Sequence, residues 1–170
     1  MKKPRHIYTD SGVGIVPTYK KGEIVLAKIS VEDIAEASKY MWCCDSRGYP
    51  KTSTNKKERV IHSYLHRLIM KPKPSEQVDH INGDGLDNRR ENLRIATNQQ
   101  NQMARHVVVG KSGYKGVYER NGIYRASIKF NGKKIHLGGY KTPQKAARAY
   151  NQAAIALFGE YAVINEVKYE

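Results

Sequence analysis

The most regular pattern in the chain lies near its C-terminal end, where short apolar runs are separated by Asn121-Gly122 and Asn131-Gly132. Asn-Gly between alternating residues is the strongest short-range hairpin signal, so three antiparallel strands are predicted from Ser112 onward. On the second strand Ala126, Ile128 and Phe130 share one face, and Arg125, Ser127 and Lys129 the other. On the third, Ile135 and Leu137 oppose Lys134 and His136, so one face of the sheet is apolar and the other basic. Thr142-Pro143 then supplies an N-cap and a first-turn proline for a helix. Its stripe of Ala146, Ala147, Tyr150, Ala153, Ala154 and Leu157 can lie close on the apolar face, and Gly159 ends it.

Earlier in the chain the pattern is more broken. Gln77 to Ile81 alternates as a strand with Asp79 and His80 on opposite sides, and residues 82–92 carry Asn, Gly and Asp suited to a loop. Leu93 to Ala96 reads as a second strand, and Thr97 with Gln100 has capping-box spacing that starts a helix at about Asn98, with Asn101 near its first turn. Upstream, Glu23 to Ile29 reads as a strand, Ser30 and Asp33 begin a short helix through Ser38, and Tyr40 to Cys44 reads as a buried strand with Trp42 in the core. Gly48 to Ser53 and Arg59 to Ile61 suggest a hairpin whose tip, Asn55-Lys56-Lys57, is basic; Ser63 to Met70 stops before Pro72 and Pro74. Residues 1–22 read as a weakly ordered basic lead-in, and 107–112, rich in Gly, Lys and Ser at its end, as a linker.

Charge changes the picture. The net charge is +14, which indicates a polyanionic partner. It is unevenly placed: residues 1–78 hold 15 Lys/Arg against 8 Asp/Glu, 79–106 hold 4 and 4, and 107–170 hold 11 and 4, giving +7, 0 and +7. Two basic flanks suited to phosphates enclose a neutral centre suited to a cation. Cys43 and Cys44 are the only cysteines, so neither a disulfide scaffold nor a structural zinc is expected. His62 and His66 have helical spacing without a nearby third ligand. No signal-peptide core or run of 18 apolar residues is present, so the reading is a soluble, unsecreted, cytoplasmic protein.

The chemistry concentrates at Asp79, His80, Asn92 and Asn101. A carboxylate and an amide oxygen suit a hard cation such as Mg²⁺, and an imidazole near neutral pKa can take a proton from water. Asp84 and Asp87 leave a calcium loop open, though the spacing departs from the usual ligand pattern and lacks the terminal glutamate. Taken together, VDHINGDGLDNRRENLRIATNQQN closely resembles the His-Asn-His nuclease family, and LHRLIM resembles what precedes that core in phage homing endonucleases. The resemblance implies a ββα-metal (His-Me finger) core over 77–104 of a domain spanning 23–106. It implies Asp79 and Asn101 as ligands of one Mg²⁺ or Mn²⁺, His80 as general base, and Asn92 bracing the loop that aims it. Arg67, Arg89, Arg90 and Arg94 lie where they could meet the DNA backbone or simply be solvated.

A second resemblance covers 113–165: YKGVY, LGGY, AARAYNQAA and GEYAVIN look like the Apetala-type, ethylene-response-factor DNA-binding domain. By match to that pattern Lys115, Tyr118, Arg120, Ser127, Lys129, Lys134 and His136 would face DNA, with Arg125 on the same basic face. Tyr124 and His136 stand where tryptophans are typical and Tyr118 where an arginine is, so the plant target sequence does not transfer. The expected whole is an α+β protein, a ββα-metal domain followed by a three-stranded antiparallel sheet packed on one helix. It would act as a phage-type homing endonuclease on double-stranded DNA, nicking as a monomer or weak dimer, with no membrane and no obligate protein partner. The rival readings are a non-enzymatic DNA-binding regulator with a decayed nuclease part, and an RNA-binding protein.

Overall fold

The structure, a computed structural model, describes residues 6–56, 59–105 and 110–168, with side chains described for all of these except 53–56 and 59–62. It divides into two compact units, Met1–Asn98 and Gln99–Glu170. The linker expected at 107–112 lies partly outside the described residues, and the units divide earlier, inside the helix that starts at Asn98.

The first unit opens with a meander that the sequence reading missed. β1 (Tyr8–Asp10), β2 (Val13–Lys20) and β3 (Glu23–Ile29) pair antiparallel, turning at Ser11-Gly12 and Lys21-Gly22. The weak order expected for residues 1–22 is therefore overturned from Tyr8 onward; residues 1–5 lie outside the described residues. The reason is that the inward positions of β2 are small or polar. Gly14, Val16 and Thr18 face the core, and Thr18 is fully buried with its hydroxyl donating to the Val25 carbonyl at 3.1 Å. The segment is hydrophilic on average yet satisfied inside.

A single 3₁₀ turn, Val31–Asp33, leads into α1 (Ile34–Ala37), and the Trp42 indole donates to the Ala37 carbonyl at 3.0 Å, so Trp42 is core as expected. The strand expected over Tyr40 to Cys44 shortens to β4 (Cys43–Cys44), which runs parallel to β2 and antiparallel to β5 (Pro50–Lys56). β5 pairs with β6 (Arg59–Tyr64) as the expected hairpin, whose tip residue Lys57 lies outside the described residues. His62 falls on β6 rather than on a helical face with His66, and its side chain lies outside the described ones. α2 (Leu65–Met70) ends at Lys71, which is left-handed (φ 46) ahead of Pro72.

β7 (Gln77–His80) and β9 (Leu93–Ala96) form a two-stranded antiparallel sheet. Between them β8 (Asp87–Asn88) adds itself parallel to the edge of β3. One core of Val16, Ala27, Ile29, Ala37, Trp42, Leu65, Ile69, Val78 and Leu93 underlies all of this, each large side chain contributing about 1.5–3 kcal/mol of burial.

In the second unit β10 (Val117–Arg120), β11 (Ile123–Phe130) and β12 (Lys133–Tyr140) form the predicted antiparallel sheet, and α4 (Pro143–Phe158) covers its apolar face. The Asn-Gly pairs take positive φ at both positions, as two-residue hairpins require. Thr142 caps α4 by accepting from the Lys145 amide at 3.3 Å. Gly116 marks the closest approach: a Cβ there would lie 2.1 Å from the Tyr150 ring, at φ +75°. The short helix α3 (Asn98–Met103) spans the division between the units. Among the described residues no helix is long and apolar enough to cross a membrane.

Candidate active site

The loop between β7 and β9 is a polar scaffold with Asn92 at its centre. The Asn92 amide oxygen accepts from the Asn82 backbone at 3.0 Å, while its nitrogen donates to the Asp87 carbonyl at 2.7 Å and to Asn82 Oδ1 at 3.0 Å. Asn82 in turn donates to Asp87 Oδ2 and accepts from the Asp84 amide, and Asp84 Oδ1 accepts from the Leu86 amide. The Asn and Asp residues expected to suit a loop thus also cross-link it end to end. The loop is also fastened to the rest of its unit: the Lys28 amide donates to the Leu86 carbonyl at 2.8 Å, and Arg90 forks onto Asp33 at 2.7 and 3.0 Å.

His80, at the end of β7, is buried. Its Nε2 lies 3.3 Å from Asn88 Oδ1, and the Asn88 nitrogen donates to the Gly85 carbonyl at 3.1 Å. A carbonyl only accepts, so the amide end of Asn88 is fixed at Gly85 and its oxygen must face His80. The imidazole therefore carries its proton on Nε2 and keeps a lone pair on Nδ1. Burial lowers the His80 pKa; the bond to Asn88 and the carboxylates of Asp79, Asp84 and Asp87 oppose that without reversing it. The ring is neutral at pH 7.

Two aromatic rings stand against His80, and a third backs one of them. Tyr49 stands 5.6 Å from it and His66 meets it edge-on at 5.2 Å, while Tyr64 stacks on His66 at 5.3 Å. Gly85 makes room for this wall, since a Cβ there would lie 2.7 Å from the Tyr49 ring. Asp45 holds the outer side, accepting from the Tyr49 amide at 3.0 Å and from the Tyr64 hydroxyl at 3.3 Å. His66 is the unusual member. Its Nδ1 is buried with no hydrogen-bond partner, and desolvation, aided by the nearby His80, lowers its pKa to about 3. Sequence reading weighed His66 only as a zinc ligand and missed Tyr49, Tyr64 and Asn88 altogether. Tyr49 and Tyr64 flank the β5–β6 hairpin, whose pairing with β4 leaves no local pattern, while Asn88 comes from the loop itself, on β8.

Asp79 is buried beside His80, and its Oδ2 accepts from Arg94 Nε at 2.8 Å and Nη2 at 2.7 Å across the strand pair. The other expected DNA contacts around the loop are similarly engaged. Arg89 forks onto Asp87 at 2.7 and 2.8 Å and reaches Glu91 at 2.6 Å, its guanidinium first among the causes that lower the Asp87 pKa. Arg67 donates to the Glu76 carbonyl at 3.1 Å. These arginines serve the fold in the structure as it stands. Asn101 lies on α3, within the second unit. Among the described residues no three His, Cys, Asp or Glu side chains gather as a metal site.

In the second unit Tyr118, Arg120, Arg125, Ser127, Lys129, Lys134 and His136 occupy the sheet strands with Ala126 and Ile128 buried on the opposite side. Lys134 Nζ sits 4.9 Å from the Tyr118 ring centre, so Tyr118 supports a basic face rather than the core. Lys115 is placed differently: half-buried, its ammonium donates to the Arg105 carbonyl at 2.8 Å.

Comparison with known proteins agrees with this geometry. Residues 63–103, from the start of α2's approach to the end of α3, match the family described as HNH endonuclease. Over 151 residues, 88% of this chain and 79% of the other protein, the chain is 34% identical to an uncharacterized HNH endonuclease of Acanthamoeba polyphaga mimivirus. Two plant proteins match a shorter stretch. An APETALA2-like protein of Oryza sativa subsp. indica is 46% identical over 56 residues, 32% of this chain and 13% of that protein. An AP2-like ethylene-responsive transcription factor of Arabidopsis thaliana is 45% identical over 58 residues, 33% and 12% of the two chains. No solved structure matches. With Asp79, His80 and Asn92 set in one braced loop inside the matched segment, the chain belongs to the HNH endonuclease family and is a DNA endonuclease.

Proposed function

We propose that the chain is a site-selective, homing-type nuclease of double-stranded DNA that hydrolyses one phosphodiester per encounter, with His80 as general base and one divalent metal. The observation that carries this reading is the state of His80, neutral, with its proton held on Nε2 by Asn88 and its Nδ1 lone pair left to accept a proton from water. Asn92 fixes the loop and so the direction of the ring. Asp79 and Asn101 would hold the cation, and Arg94 keeps the Asp79 carboxylate in place from the next strand. A carboxylate and an amide oxygen suit Mg²⁺ or Mn²⁺, which when bound would stabilise charge developing on the phosphate. β7, β9 and α3 follow one another in the order of a strand, strand and helix core of the ββα-metal type.

Selectivity would come from the second unit. Its basic sheet face, with Arg120, Arg125, Lys129, Lys134 and His136 around Tyr118 and Ser127, has the width and chemistry to enter a major groove. The similarity to APETALA2-like proteins supports the same assignment. One His80 per chain makes a single-strand nick the simplest product, with 5′-phosphate and 3′-hydroxyl ends.

The test is incubation of purified protein with supercoiled plasmid under Mg²⁺, Mn²⁺ or EDTA, with double-stranded RNA as competitor for binding. Metal-dependent nicking that RNA does not suppress at matched salt is the expected result. Tight binding without a cut under either metal would instead make the chain a DNA-binding regulator, and RNA outcompeting DNA would remove the substrate assignment.

A further inference from the structure

The helix that carries Asn101 is held at its C-terminal end by a lysine of the second unit. Lys115 Nζ donates to the Arg105 carbonyl at 2.8 Å, just beyond α3, and to the Met103 carbonyl at 3.5 Å, in its last turn. A cation at that end also meets the negative pole of the helix.

The lysine is anchored for this role. Its backbone amide donates to Asn165 Oδ1 at 2.6 Å and its carbonyl accepts from Asn165 Nδ2 at 3.1 Å. Asn165 is itself clasped to α4, its backbone exchanging bonds of 2.7 and 2.8 Å with the Asn151 side chain. Beside the lysine, Met103 packs against the cluster of Ile128, Tyr150, Ala154 and Phe158, Ala104 is 3% exposed, and Gln99 donates to Asn131. A DNA-contacting lysine is ordinarily solvated and free to move, whereas this one is half-buried, with its pKa lowered by desolvation.

We infer that Lys115 is a positioning residue that clamps the C-terminal end of α3, and with it Asn101, onto the sheet and helix of the same unit, rather than a contact to DNA phosphate. The inference rests on the proposed role of Asn101 for its catalytic consequence, though not for the clamp itself. The second unit would then do two things, reading DNA on its sheet and fixing α3 by its C-terminal end.

The full-length Lys115→Met and Lys115→Arg proteins are compared with wild type and with Lys129→Met, a control on the proposed DNA face. Three readouts are taken: amide hydrogen exchange across residues 100–105 without metal or DNA, Mn²⁺ affinity by calorimetry, and DNA affinity as a function of salt. Lys115→Met is expected to speed exchange at Met103 and Ala104 about tenfold and to weaken Mn²⁺ binding, with DNA affinity and its salt slope unchanged. Lys115→Arg, which keeps the charge and donors, should restore most of the protection. Lys129→Met should do the reverse, lowering the salt slope by about 1 while α3 exchanges normally. Lys115→Met that behaves like Lys129→Met, losing salt slope with α3 unaltered, would overturn the inference. If Asn101→Ala leaves Mn²⁺ affinity unchanged, the metal assignment falls while the exchange data still decide the clamp.

Discussion

The two units are built on different principles. The second is assembled from neighbours in sequence: hairpins closed by Asn-Gly, a capped helix, and an alanine stripe that allows close packing. The first is assembled from distant segments. β2 lies between β3 and β4, β8 joins the edge of β3 from some sixty residues away, and the active loop is held by polar groups that satisfy one another inside. A reading site can rest on a locally determined frame, because it needs only a stable face bearing charges. A site that must keep one imidazole neutral and aimed needs positions fixed from several directions.

The sharpest way to break the first half of the comparison is Gly116→Ala. The new Cβ would meet the Tyr150 ring and the Ser127 carbonyl at a left-handed φ, so the second unit should lose about 3 kcal/mol or more. Gly122→Ala, where a Cβ meets nothing within 4 Å, should cost about 1 kcal/mol. Urea unfolding of the two variants checks the contrast, and equal losses would mean that turn strain rather than close packing governs this unit.

Next in size is Asn92→Ala, which leaves the Asn82 amide and the Asp87 carbonyl without their partner. The cost should be about 2–3 kcal/mol and confined to the first unit. Cleavage should fall further than DNA affinity; a parallel fall in both would place Asn92 in binding instead.

A third effect depends on pH. His66 is neutral in the folded protein down to about pH 3, whereas an unfolded histidine takes up its proton near pH 6.5. Between those values the unfolded chain binds more protons, so stability is full above about pH 6.5 and falls as pH drops toward 3, by up to a few kcal/mol. Tm measured between pH 7 and 4.5 should decline less steeply in His66→Phe than in wild type. Identical slopes would mean that His66 is hydrated in solution. The smallest effect is expected at the exposed pair Lys39–Glu36, where Lys39→Ala should leave the Tm at its wild-type value.

The same contrast explains what could be read from the sequence. β3, β9, α3, the C-terminal hairpins and α4 were legible because alternation, caps and Asn-Gly turns are local signals. Asp79, His80 and Asn92 stood out because their spacing is distinctive, and Asn92 is hydrogen-bonded to Asn82 across the loop. The meander of residues 8–29 was only half seen, because its first strands bury glycine and threonine where an apolar run would have announced them. Tyr49 and His66 were invisible as partners of His80, since they come from chain segments more than a dozen residues away, and Asn88 read only as a loop residue. Lys115 matched a DNA-facing pattern, and no local signal announced that its ammonium reaches the Met103 and Arg105 carbonyls.

The most direct test of the account is the single-turnover cleavage rate of His80→Ala at saturating DNA. Loss of at least about a hundredfold, with DNA affinity and Tm close to wild type, is the predicted result. A rate within a few-fold of wild type, or a loss that tracks weaker binding, would contradict the assignment of His80 as the base.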